Sequence, residues 1–170
     1  MTNLEDNREA TGSMDLLKIA IAAFSATNIM TTFSYIISAT YNRLFKEPVM
    51  LNYILNNIGI SIDGRFKKAE GWIAHYFIGL FFVIIYESIW RYTGIEFGFI
   101  SGLAFGAVSG GIGILGWNLI YRLPDKKPPA PLKDYYFQLF LAHIIFALAV
   151  VVAFKIFKYD PLSHIDAGFN

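Results

Sequence analysis

The 170 residues contain no cysteine, so disulfides, thiolate nucleophiles, iron–sulfur clusters and cysteine-ligated zinc are excluded together. Charge is scarce as well: 16% of residues are charged against 55% hydrophobic, too apolar for a water-soluble domain of this length. Neither sign is in excess. The net charge of +1 points to no nucleic acid and to no acidic partner. H-E-x-x-H, P-loop and G-x-S-x-G signatures are all missing, as is any acidic metal cluster, so no catalytic or metal-ligating set is expected. Gly111-x-Gly113-x2-Gly116 matches a dinucleotide fingerprint by letter, yet it follows no strand and lies inside an apolar run. Ser101 and Ser109 sit a turn or more from the histidine level, where a serine hydrolase would need them close. The chain reads as non-enzymatic by itself.

What is present is apolar length. Residues 97–120 carry no charge, and Gly98, Gly102, Gly106 and Gly110 recur at every fourth position, followed by Gly113. At about 100° per residue these glycines share one arc, with Ile100, Val108, Ile112, Leu115 and Leu119 opposite. A helix of that length, about 36 Å, crosses a bilayer and expects other helices against its bare side. The glycine face offers a right-handed and a left-handed packing register, one for a neighbour in the chain and one for a second subunit.

Three further apolar runs make four spans, at about 17–39, 71–90, 97–120 and 135–154. The expected fold is all-α: an integral membrane four-helix bundle spanning residues 17–158, with a polar leader at 1–16 and a polar tail at 159–170. The leader is acidic and the first run is longer than a signal-peptide core, so that run reads as a retained span. Residues 1–14 have little to bury and are expected to be irregular. In the first span Ser25, Asn28, Thr31, Thr32 and Tyr35 share an arc that should face inward, because polar side chains in hydrocarbon need a partner helix. Pro48 suits N1 of a short helix reaching about Asn57, too short to span and placed in the headgroup region. Residues 61–64 read as a turn. The second and third spans, separated only by residues 92–96, are expected to be antiparallel neighbours. Glu87 and Arg91 form an i,i+4 interfacial ion pair with Trp90 as an anchor between them. The proline-rich stretch 122–134 is a linker, and His164 in the tail is a solvated bystander.

Nine of the 14 Lys and Arg fall in the connections after the first and third spans, and five on the other side. The bias puts those connections in the cytoplasm of a bacterial inner (plasma) membrane and both termini in the periplasm. The lipid bilayer is the first partner, with a homo-oligomer or larger membrane complex as the second.

Depth supplies a candidate site. At ~1.5 Å per residue, Tyr35, His75, His143 and Asn118 fall within about one helical turn of the same level, with Asn28 on the Tyr35 arc. An ionisable residue within a span is a functional candidate by default. The two imidazoles admit three roles: structural hydrogen bonding, a polar pathway for protons or a small solute, or axial ligation of a b-type haem in an electron carrier. Only the last needs a cofactor.

The motif GW-x2-HY-x2-G beginning at Gly71, the glycine-rich third span, the proline-containing linker and LAH-x2-F in the fourth resemble small four-helix bacterial inner-membrane proteins classed as domains of unknown function. The resemblance covers residues 71–154. It implies a topology and an interest in His75 and His143, and it supplies no reaction. The expected role is a helper subunit or a small channel or transporter-like bundle.

Overall fold

A computed structural model describes residues 2–60, 69–123 and 131–157. Among these there are five α-helices and no strand: α1 (Thr2–Thr40), α2 (Glu47–Asn57), α3 (Glu70–Thr93), α4 (Phe99–Ile120) and α5 (Leu132–Ile156). Four stretches are long and apolar enough to cross a membrane: Asp15–Thr40, Glu70–Thr93, Phe99–Ile120 and Leu132–Ile156. The turn at 61–64, most of the proline-rich linker and the tail with His164 lie outside the described residues.

α1 corrects the expectation of an irregular leader, since it is helical from Thr2. No proline interrupts it. α2 forms with proline in its first turn. It is not simply a surface helix, because Glu47, Pro48, Met50, Leu51 and Ile54 are buried.

α5 is the hub. Tyr135, Ala142, Ala147, Val150 and Phe154 along it are fully buried, and it packs on α4 on one side and α1 on the other. α1 then packs on α3, and α3 on α2. α3 and α4 are neighbours as expected, joined by the short turn 94–98. Among the described residues, only side chains between that turn and the Tyr86–Ser109 pair link them, and their backbones do not pack closely along their length. Their glycine faces are taken elsewhere. A Cβ on Gly102 would meet Val151, one on Gly106 would lie 2.6 Å from Ile144 Cα, and one on Gly110 would crowd Phe140. These three glycines, with Gly113 against the His143 ring, bring α4 onto α5. Gly98 belongs to no such face; it precedes the helix and has open space around it. On α3, Gly71 meets the α2 backbone at Pro48 and Asn52, and Gly79 meets Thr27 of α1.

α3 and α4 touch through side chains near their turn. Gly94 makes that turn with φ 69°, a left-handed conformation natural to glycine. Ser101 Oγ donates to the Glu96 carbonyl (2.7 Å) and accepts from Trp90 Nε1 (2.9 Å), while Tyr86 donates to Ser109 (2.6 Å). Trp90 is therefore a core residue and not the expected interfacial anchor; it is fully buried among Phe97, Phe105 and Phe154. Arg91 pairs with Glu87 beside it.

Candidate functional site

The inward face of α1 is set by small residues that let two helices approach it. Ala22, Ala26, Thr27, Thr31, Ser34 and Ser38 are buried along one stripe. This differs from the expected polar arc by a partial rotation. Thr31 faces in, Thr32 is exposed, and Asn28 and Tyr35 are half-buried at the border with α3. Asn28 accepts from Tyr76 (2.9 Å) and Tyr35 packs on Trp72, with Lys46 above its ring. Among the described residues, neither hydrogen-bonds a histidine.

His75 meets Thr31, with Nε2 3.1 Å from Oγ1. The motif starting at Gly71 acts as one docking strip: Gly71 admits α2, Trp72 packs at a tilt on Tyr35, His75 and Tyr76 bond α1, and Gly79 seats Thr27. His143 donates Nδ1–H to the Leu139 carbonyl at 2.9 Å, which leaves Nε2 as the acceptor of the neutral ring. The His143 ring stands edge-on to Phe82 and beside Gly113. Both imidazoles line one cavity. Asn118 does not join them: it is exposed, because Trp117 takes the inward position against Tyr135 and the next residue turns about 100° away.

The cavity, of about 270 Å³, occupies the space where α3 and α4 part, beyond the Tyr86–Ser109 contact. α3 contributes His75, Gly79 and Phe82, and α4 contributes Gly113, Gly116 and Trp117. α5 forms the back with Leu139, His143 and Phe146, and Thr27 and Met30 of α1 complete it. The outer sides of α3 and α4 are apolar, with Phe77, Phe81, Leu115 and Leu119 exposed.

One wall residue escaped the sequence reading. Glu47, 1% exposed, lines this cavity from the first turn of α2. Its Oε1 accepts from Ser34 (2.7 Å) and from Gln138 Nε2 (3.1 Å), and Gln138 also donates to Ser34 (2.6 Å). Its Oε2 has no hydrogen-bond partner, nor do Gln138 Oε1 and the Tyr135 hydroxyl. Burial pushes the Glu47 carboxyl up to about 7, against the lowering hydrogen bonds from Ser34, its own backbone and Gln138. Gln138 also borders a second groove of about 610 Å³ outside α1 and α5, whose rim holds the Arg43–Asp134 ion pair. The signal for this triad in the sequence is Gln138, a lone amide inside an apolar helix. Among the described residues, no three His, Asp or Glu side chains converge as a metal site.

Comparison with protein-family models, curated proteins and solved structures finds no match to this chain.

Proposed function

We propose that this chain is a multi-pass protein of a bacterial inner membrane that takes a lipid-soluble small molecule into the cavity between α3 and α4. It performs no chemistry of its own and serves as a transporter-like module or a helper subunit in a larger membrane complex. One observation carries this reading: α3 and α4 part beyond the Tyr86–Ser109 contact, and behind the opening lie His75, His143, Glu47 and Thr27 in an otherwise apolar wall. A small, mostly apolar cavity with a few converging polar groups suits a small-molecule ligand. A through-channel fits less well. The polar stripe of Ser38, Ser34, Thr31 and Thr27 gives way to Val83, Phe146, Val150 and Phe154, all buried. The test is photolabelling in proteoliposomes with an uncharged, lipid-soluble aryl diazirine. Labelling of Met30 and Leu139, buried residues that line the cavity, is the expected result. Gly116→Phe fills open space in the cavity and should remove it while exposed Leu115 stays labelled. Unlabelled Met30 and Leu139 in the wild type reject the reading.

A b-type haem held by His75 and His143 is the second reading, favoured by their sharing one cavity. It requires His75 Nε2 to leave Thr31. A Soret band lost in His75→Ala and His143→Ala supports it; colourless protein from haem-replete cells rejects it.

A further inference from the structure

The cavity wall is one-sided in its charge, although Thr27 adds a neutral hydroxyl without a partner. Glu47 presents an oxygen without a partner, and His143 presents Nε2, an acceptor in the neutral ring. Among the described residues, no Lys or Arg lines the cavity. The remaining surface is largely apolar and aromatic, with Phe81, Phe82, Phe146 and Trp117. An anion would meet a buried carboxylate with no cation to offset it. A neutral apolar molecule would leave the carboxylate oxygen unpaired.

We propose that the ligand is a lipophilic cation, an onium group on an apolar body, which binds with its charge at Glu47 and its body against the aromatic wall as Glu47 gives up a proton. This assignment rests on the small-molecule reading of the cavity given above. A cation supplies the missing partner of Oε2, and the Trp and Phe faces attract positive charge at close range. In the exchange the carboxylic O–H bond breaks, its electron pair stays on the carboxylate, and the proton passes to water. The empty site keeps its proton up to about pH 7, so cation and proton compete in the neutral range.

Other titratable groups surround Glu47. Tyr35 approaches from α1, His75 lines the cavity from α3, and Tyr135 and His143 come from α5. Glu70 is buried in the first turn of α3, where that helix meets α2, and α4 offers only uncharged residues such as Trp117. Protonated imidazoles would also repel a cation, so the test must separate Glu47 from them.

The experiment uses full-length protein in liposomes and measures protection of Met30 and Leu139 from the diazirine. The competitors are benzyltrimethylammonium and its uncharged carbon isostere, neopentylbenzene. The cation should protect about tenfold more weakly for each pH unit below the Glu47 midpoint, while the isostere shows no pH dependence. Glu47→Gln should abolish the pH dependence and the preference for the cation. Ser34→Ala removes a hydrogen bond that favours the ionised carboxylate, so it should move the midpoint to higher pH; this decides the matter if Glu47→Gln does not fold. A cation with no pH dependence, one still preferred by Glu47→Gln, or a midpoint unmoved by Ser34→Ala overturns the assignment. Protection by the isostere alone rejects the cation and leaves the small-molecule reading standing, whereas absence of labelling rejects both.

Discussion

Glu47 opens a helix, ends in the interior and has one carboxylate oxygen to spare. Its carboxyl titrates near 4.5 when exposed and near 7 in the fold, so between those values the folded state holds a proton that the unfolded chain has released. Stability therefore falls as pH rises from about 4.5 to about 7 and levels off above, by about 3 kcal/mol in all. Glu47→Gln removes this loss. In thermal melts followed by circular dichroism the variant should unfold several degrees above wild type near pH 8 and together with it near pH 4.5; parallel curves across that range would contradict the buried carboxyl. The two histidines were legible because an ionisable group in an apolar run stands out. Glu47 was not, because Lys46-Glu47-Pro48 is polar in the way a helix start is polar, and only the closure of α2 onto Gly71 carries it inside. Asn118 erred in the opposite sense: one step along the helix separates a buried tryptophan from an exposed amide.

Among elements, the four apolar helices were legible from composition and length, and the bare face of α4 from glycine spacing. Which helix that face meets was not, since a small-residue arc announces close approach and not the identity of the neighbour. Gly106 and Gly111 separate the two meanings of a helical glycine. A methyl group on Gly106 would press on the α5 backbone, whereas at Gly111 it meets nothing within 4 Å. Gly106→Ala should thus cost about 2 kcal/mol by forcing α4 and α5 apart, and Gly111→Ala should be neutral or stabilising by up to about 1 kcal/mol. Unfolding in mixed micelles measures both. Equal effects at the two positions would mean that α4 does not use this face against α5. The motif beginning at Gly71 shows the same logic, since each of its named residues meets α1 or α2.

At the scale of the whole molecule, the proposed orientation places α2 towards the cytoplasm and the α3–α4 turn outside. The absence of native cysteine makes a direct measurement simple. Asn57→Cys and Tyr92→Cys both fall on exposed positions. A membrane-impermeant maleimide should modify Tyr92→Cys in intact spheroplasts and Asn57→Cys only in inverted vesicles; the reverse pattern would invert the topology, and modification of both from one side would end the four-span account. The open ring has a further consequence for how the protein is made. α4 leaves the ribosome before α5, yet α5 is the helix on which it rests, and α3 does not pack along it. If the four apolar helices are membrane spans as proposed, the third would wait at the insertion machinery or in lipid, its glycine side uncovered, until the fourth arrives. Loss of the last helix removes more than one stave from the barrel: it strands its predecessor and presents quality-control proteases with an orphan.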